Sequence, residues 1–107
     1  MEVQPRIIKK FETIDGSCPF DDWFESLDLK TKMIIDARLL RLRTGNFGKC
    51  ESVGGDIKEL KVYFGPGYRI YFAELNWEIV LLLCGGDKNS QQKDIKRAQE
   101  FWKEYMR

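Results

Sequence analysis

Apolar and polar residues alternate from Leu60 to Phe64, and a second apolar-rich stretch follows from Tyr68 to Phe72. The two stretches are separated by Gly65-Pro66-Gly67, which contains the residues most typical of tight turns. Alternation with a period of two is typical of a strand with one buried face. The segment therefore predicts a β-hairpin.

The length of the turn decides which side chains meet across the hairpin. A loop of three residues would place Tyr63 opposite Arg69. Two residues further along, Lys61 would lie opposite Tyr71. Since side chains alternate between the two faces, one face becomes apolar throughout. Its members are Leu60, Val62, Phe64, Tyr68, Ile70 and Phe72. The other face then carries two cations and two phenols: Lys61, Arg69, Tyr63 and Tyr71.

Helical periodicity predicts three helices. The first begins at Pro19, capped by Ser17 or Cys18. Its apolar face consists of Phe20, Trp23, Phe24 and Leu27. The second spans Leu29 to Arg43 and stops at a glycine signal. Its predicted stripe consists of Met33, Ala37 and Leu40, widened by Leu29 and Ile34. The third spans Asn89 to Met106, where Asn89 and Gln92 resemble a capping box. Its stripe consists of Ile95, Ala98, Trp102, Tyr105 and Met106.

Further strands are predicted at Arg6 to Phe11, at the end of the connector Phe47 to Val53, and at Ile79 to Cys84. The last has no polar interruption, which favours a central strand covered on both faces. The predicted fold is a single α+β domain over residues 1–107. We expect an N-terminal strand and two helices packed on a mainly antiparallel four-stranded sheet, followed by a C-terminal helix.

Composition removes several classes of function. The chain has no histidine, which excludes any mechanism with a histidine base. Its three cysteines have no CxxC spacing and predict free thiols in a reducing cytoplasm. No apolar run is long enough to cross a bilayer, and Met1 to Pro5 lead into no apolar stretch, so we expect no membrane association and no signal peptide.

Charge is segregated although the formal net charge is only +1. The segment Glu12 to Asp28 carries six acids and no base, whereas Leu29 to Lys49 carries six bases and one acid. A local basic surface could bind nucleic acid. A solvated helix face explains the same residues equally well.

The polar face of the hairpin carries the candidate chemistry. Arg69 offers planar, bidentate recognition of phosphate, but an ion pair with Glu59 or Glu74 would also explain a strand arginine. Lys61, beside another cation, is a candidate general base, or a simply solvated lysine.

The tyrosines and the segment before the last helix add further candidates. Tyr63 and Tyr71 could stack on RNA bases, although aromatic residues are also common in strands. The segment Gly85-Gly86-Asp87-Lys88 is predicted as a glycine-rich turn that could hold an anion at a helix N-terminus. If the flanking strands pair, Lys88 lies at the Arg69 end of the sheet.

These motifs together resemble those of the HigB-type addiction-module killer proteins, a phage-related branch of the RelE/ParE toxin superfamily. The resemblance covers nearly the whole chain. It is carried by Pro19–Phe24, by Leu60–Phe72 with its Gly-Tyr-Arg sequence, by Leu81–Lys88 and by Gln92–Ala98.

The resemblance implies a RelE-like fold and a toxin of a type II toxin–antitoxin system. Active relatives cut mRNA in the ribosomal A site without metal or other cofactor, by attack of a 2′-hydroxyl on the adjacent phosphate. It also implies a helix-turn-helix antitoxin as partner, with operator DNA bound only through that complex. Arg69 and Lys88 would stabilise the phosphorane, Lys61 would be the base, and Tyr63 and Tyr71 would contact RNA.

The chain also departs from the family pattern. A second strand lysine of the RelE toxin is Tyr63 here, Asp94 falls near the place of its C-terminal tyrosine, and the net charge is nearly neutral. Two alternatives therefore stay open. One is a non-enzymatic, ParE-like inhibitor of DNA gyrase that acts through helix surfaces. The other is an inactive relative that serves as a co-repressor with its antitoxin.

Overall fold

The protein is described by a computed structural model covering residues 4–107. Residues 1–3, part of the segment for which no signal peptide is expected, lie outside the described residues. The elements follow the predicted order β-α-α-β-β-β-β-α. They are β1 (Ile7–Lys10), α1 (Pro19–Glu25), α2 (Leu29–Arg43), β2 (Cys50–Ser52), β3 (Ile57–Val62), β4 (Tyr68–Leu75), β5 (Ile79–Asp87), a 3₁₀ turn (Lys88–Ser90) and α3 (Gln91–Tyr105).

The strands form one five-stranded mixed sheet in the order β1-β5-β4-β3-β2. Pairings among β2, β3, β4 and β5 are antiparallel, whereas β1 runs parallel to β5, with Ile7 opposite Ile79. The α+β class is confirmed, and the prediction of a four-stranded sheet is wrong. The short strands β1 and β2 both join the sheet, one at each edge.

Helices cover the sheet on both faces. Below α1 and α2 lies an apolar cluster, which we call the first face: Phe20, Ile35, Leu42, Leu60, Val62, Ile70, Phe72, Val80 and Leu82. Beneath α3 lies the second face: Phe11, Ile57, Tyr71, Ala73, Leu81, Leu83, Cys84 and Ala98. Since β5 contributes to both clusters, the prediction that it is covered on both sides is confirmed.

Helix α2 has the predicted bounds, because its ends carry clear local signals. The Asp28 carboxylate accepts a hydrogen bond from the Thr31 amide at 2.8 Å. The Thr31 side chain and this amide together lower the pKa of Asp28. At the other end Gly45 adopts a φ of +86°, and its amide donates to the Leu42 carbonyl.

The predicted buried stripe of α2 is wrong. Leu29, Met33 and Leu40 are 74%, 64% and 59% exposed. The buried residues of the helix are Thr31, Ile35 and Leu42, on the opposite side. This helix is apolar on two sides, so periodicity alone could not identify the side that meets the sheet.

Strand β5 continues three residues further than predicted. Gly85, Gly86 and Asp87 are extended and pair with β4, so they form no turn. Asn89 is therefore not the predicted cap of α3 but part of the 3₁₀ turn, which Asp87 caps: its carboxylate accepts hydrogen bonds from the amides of Asn89 and Ser90. The N-cap residue of α3 itself is Ser90, whose side chain makes no capping hydrogen bond. The predicted apolar stripe of α3 packs on the second face except for Met106, which is 60% exposed.

In residues 4–107, no helix combines the length and apolar character needed to cross a membrane.

Candidate functional site

The hairpin joining β3 and β4 has a loop of five residues rather than three. Lys61 lies directly opposite Arg69, and Val62 lies opposite Tyr68. The turn is closed by a hydrogen bond from the Gly67 amide to the Phe64 carbonyl at 3.0 Å. The predicted register was therefore shifted by two residues. An even shift leaves each side chain on its predicted face, but it changes the partners across the strands.

The guanidinium of Arg69 makes one hydrogen bond and one longer ion pair. Its Nη1 donates to the Gly67 carbonyl at 3.1 Å, and its Nε lies 3.7 Å from Glu59 Oε2. The arginine side chain is 13% exposed and that of Glu59 only 2%. Glu59 and Glu74 were the two carboxylates predicted as possible partners of Arg69, and Glu59 is the one that lies beside it. Glu74 instead pairs with Lys58, Nζ to Oε1, at 2.8 Å.

Glu59 was predicted only as a possible ion-pair partner of Arg69 and not as a functional residue. Its buried Oε2 accepts hydrogen bonds from the Tyr71 hydroxyl at 3.0 Å and from Gln91 Nε2 at 2.8 Å. These donors come from β4 and α3, so three elements converge on one carboxylate oxygen. Strand alternation could have found it, because Glu59 lies two residues before Lys61 and therefore on the same face.

The two tyrosines differ in exposure. Tyr71 is completely buried opposite Glu59, and burial together with that carboxylate raises its pKa. Its ring cannot stack on a nucleotide in this arrangement, so the structure does not support its predicted role in binding RNA. Tyr63 lies in the hairpin loop and is 74% exposed, but it is not opposite Arg69 as predicted.

Lys61 has a more exposed partner than Arg69. Its Nζ lies 3.2 Å from Oε1 of Glu51, on the edge strand β2. The lysine side chain is 22% exposed and that of Glu51 is 54% exposed. Exposed pairs of this kind contribute about 0–1 kcal/mol, so an incoming anion can displace Glu51.

Lys88 lies beside Arg69 across the backbone of Gly67. A methyl group at Gly67 would lie 3.6 Å from Arg69 Nη1 and 3.9 Å from Lys88 Cβ. The structure therefore brings Lys61, Arg69 and Lys88 to one end of the sheet. We call these three residues the cationic edge.

The glycine-rich turn predicted beside the cationic edge does not exist. The backbone of Gly85 and Gly86 belongs to the ladder with β4, opposite Ile70 and Arg69. Their lack of side chains serves close packing instead. A methyl group at Gly85 would lie 2.3 Å from the Trp23 ring, and one at Gly86 would overlap the Asp94 carboxylate.

A cleft of about 430 Å³ borders this end of the sheet, between α1 and the start of α3. Trp23, Ser90 and Arg97 are among its lining residues. A second cleft of about 320 Å³, lined partly by Lys58, Glu74 and Trp77, lies at the opposite end of β4. Since Arg69 and Glu74 are five strand residues apart, the second cleft is roughly 16 Å from the cationic edge.

The cysteines and acidic residues form no metal site in the described part of the chain. Within residues 4–107, no three His, Cys, Asp or Glu side chains are grouped so that they could hold a metal ion. Cys18, Cys50 and Cys84 are free thiols, as predicted. Burial raises the pKa of Cys50 to about 11 and that of Cys84 to about 12, so both are protonated at neutral pH.

These observations define an α+β protein whose sheet ends in a cationic edge supported by a buried carboxylate. No protein-family model matches the sequence. Over 87 residues the chain is 49% identical to an uncharacterized protein of Haemophilus influenzae strain Rd. The matched region covers 80% of this chain and 88% of that protein. The chain therefore belongs to the same family as the Haemophilus protein.

Proposed function

We propose that this protein is the toxin of a type II toxin–antitoxin pair and that it cuts mRNA on the ribosome. The observation that carries the proposal is the cationic edge, in which Lys61 and Arg69 are direct cross-strand partners. Like charges directly opposite each other destabilise a sheet, by about 0.2–1 kcal/mol. Binding of a phosphate would explain why the chain places them together.

The resemblance to the RelE/ParE superfamily supplies the reaction for this site. The 2′-hydroxyl of one nucleotide attacks the adjacent phosphorus, and the bond from phosphorus to the 5′-oxygen breaks. Lys61, in its uncharged form, accepts the proton of the 2′-hydroxyl and becomes positively charged. The departing 5′-oxygen takes a proton from water, so the products are a 2′,3′-cyclic phosphate and a 5′-hydroxyl. Arg69 and Lys88 stabilise the additional negative charge on the phosphorane, which is usually the largest contribution in such sites. Exposed Tyr63 is free to stack on a neighbouring base.

The proposal includes a set of partners. The ribosome presents the mRNA and helps to impose the in-line geometry that the attack requires. A helix-turn-helix antitoxin neutralises the toxin, and the complex of the two binds operator DNA. The site of action is the cytoplasm, and the RelE-like fold belongs to the same proposal.

The test is a short pulse of expression in a bacterial host, followed by mapping of mRNA 5′ ends. Wild type is compared with Arg69→Ala and with Arg69→Lys, which keeps the charge but not the planar fork. Arg41→Ala is the matched control, because it removes an exposed arginine from α2. We expect in-frame, translation-dependent cuts with wild type and the control, and none with Arg69→Ala.

Circular dichroism of each purified variant separates loss of chemistry from loss of fold. Cuts that persist in folded Arg69→Ala would remove Arg69 from the mechanism. Absence of cuts from wild type would overturn the nuclease proposal.

A second candidate function is inhibition of DNA gyrase through protein contacts. The exposed apolar residues Leu29, Met33 and Leu40 favour it, because they give α2 a face suited to another protein. Growth arrest with DNA damage signalling and without mRNA cuts would select this function. The inactive co-repressor is favoured by the carboxylates that already pair with Lys61 and Arg69, and it predicts no growth arrest at all.

A further inference from the structure

We propose that Glu59 is a positioning residue that fixes the guanidinium of Arg69 so that its free N–H groups face a phosphate at the cationic edge. This inference rests on the proposed function of Arg69 as a phosphate ligand. It adds a residue that does not contact the RNA but determines how the arginine meets it.

The surroundings of Glu59 make its own position rigid. The residue is 1% exposed, in the middle of β3. One oxygen, Oε2, receives the Tyr71 hydroxyl from β4 and the Gln91 amide from α3. The carboxylate thus joins the sheet to the helix that covers it, and rotation of its side chain would break both bonds.

Arg69 is oriented by this fixed carboxylate. Its Nε is buried and lies 3.7 Å from Glu59 Oε2, which is the distance of an ion pair and too long for a hydrogen bond. Nε has no hydrogen-bond partner within residues 4–107, so the charge of Glu59 is what acts on it. Nη1 gives one hydrogen to the Gly67 carbonyl. Nη2 and the second hydrogen of Nη1 remain free in the described part of the chain. A guanidinium held in this way is preorganised for an anion, since less side-chain entropy is lost on binding.

Stability alone does not account for Glu59. A buried ion pair is often no more stabilising than an apolar pair of the same volume, because both charges lose their hydration. The position two residues earlier on β3 is taken by an apolar residue of the second face, Ile57. Glu59 is the one buried carboxylate of β3, and it lies beside the guanidinium of Arg69.

Positioning and simple electrostatics predict opposite results when the carboxylate is neutralised. Glu59→Gln raises the local charge by one unit, so electrostatics alone would make an anion bind more tightly. A positioning role predicts weaker binding despite the extra positive charge, because Arg69 loses its fixed orientation. Glu51→Gln is the matched control, since it removes the same charge from the partner of Lys61 without touching Arg69.

The experiment is a titration of the full chain with inorganic phosphate, followed by NMR through the Hε–Nε resonance of Arg69. For Glu59→Gln we expect a displaced Arg69 resonance before any phosphate is added, and phosphate binding weaker by about tenfold. For Glu51→Gln we expect binding equal to or tighter than that of wild type. Tyr71→Phe, which removes one of the bonds that hold Glu59 and leaves both charges, should give a smaller weakening.

Equal or tighter binding by Glu59→Gln would overturn the positioning role, as would an Arg69 resonance that phosphate does not affect in wild type. If Glu59→Gln does not fold, phosphate binding by Tyr71→Phe decides instead. Weaker binding than wild type supports the positioning role, and equal or tighter binding overturns it. Failure of the proposed function is seen separately: the phosphate results would follow the expectation, while wild type would produce no mRNA cuts.

Discussion

The two faces of the sheet differ in what they bury. The first face, under α1 and α2, is an apolar cluster with Phe72 at its centre. The second face, under α3, combines apolar residues with a buried carboxylate, Glu59, which accepts hydrogen bonds from Tyr71 and Gln91 and forms an ion pair with Arg69. The chain thus devotes one face of a single sheet to stability. The other face contains buried polar groups, and one of them, Glu59, lies beside Arg69 of the cationic edge.

The largest effect is expected from truncation on the first face. Phe72 is completely buried, and Phe72→Ala should lower the free energy of unfolding by about 3–5 kcal/mol. Urea denaturation followed by circular dichroism measures the loss. Ile70→Val is the mild variant on the same face, with an expected loss of about 0.5–1.5 kcal/mol. Loss of mRNA cleavage by Ile70→Val at full folding would contradict the division of roles between the faces.

A smaller effect is expected from Tyr71→Phe on the second face. The substitution removes a hydroxyl that donates to buried Glu59 and leaves that acceptor one partner short. The expected loss of unfolding free energy is about 1–3 kcal/mol. Tyr63→Phe is the matched control, because its hydroxyl belongs to an exposed side chain, and it should be neutral in the same urea experiment. Equal changes in unfolding free energy for the two substitutions would mean that the hydrogen bond from Tyr71 to Glu59 does not contribute to stability.

Buried acids on and beside the second face should make the protein sensitive to alkali. Burial raises the pKa of Cys84 to about 12, whereas an unfolded thiol titrates near about 8.5. The unfolded chain therefore releases this proton first as the pH rises. Stability is complete below about pH 8.5 and falls by up to about 1.4 kcal/mol per pH unit for each such group until the folded pKa is reached.

Cys84→Ala tests this dependence. Unfolding free energies of the variant, measured in urea between neutral pH and about pH 11, should fall less steeply than those of wild type. Tyr71, with its raised pKa, adds to the decline only above about pH 10, where the unfolded phenol titrates. Identical slopes for wild type and Cys84→Ala would show that this thiol is not protected by the fold.

The smallest effect is expected at the exposed ion pair of Lys61. Glu51→Gln should change the free energy of unfolding by less than about 1 kcal/mol, and added salt should reduce even that difference. The measurement is urea denaturation at low and high ionic strength. A larger loss of unfolding free energy would mean that the exposed Glu51 stabilises the fold. The difference between this exposed carboxylate and the buried Glu59 would then disappear.

Much of the fold could be predicted because the deciding signals are local. Asp28 and Gly45 bound α2 at the expected residues, since capping depends on a few neighbouring groups. The alternation in the hairpin assigned its two faces correctly, because the period of two survives an even shift of register. The candidate cations Lys61 and Arg69 could be found in the same way.

Other features could not be predicted because they depend on contacts between distant segments. Leu29, Met33 and Leu40 look like a buried stripe, yet α2 packs through Ile35 and Leu42, since both sides of the helix are apolar. Gly85 and Gly86 look like a turn. They are strand residues because they pair with β4, and they are glycines because Trp23 and Asp94 approach too closely for any side chain.

The sequence by itself determined the order of the elements, the α+β class and the common face of Lys61, Arg69 and Tyr71. Only the tertiary structure decided that Lys61 faces Arg69, that Tyr71 is buried and that Glu59 is the partner of the arginine. The physical reason is that capping and strand alternation act over a few residues. Register and ion pairing instead depend on the loop conformation and on the approach of α3, which brings Gln91 to a residue 32 positions away.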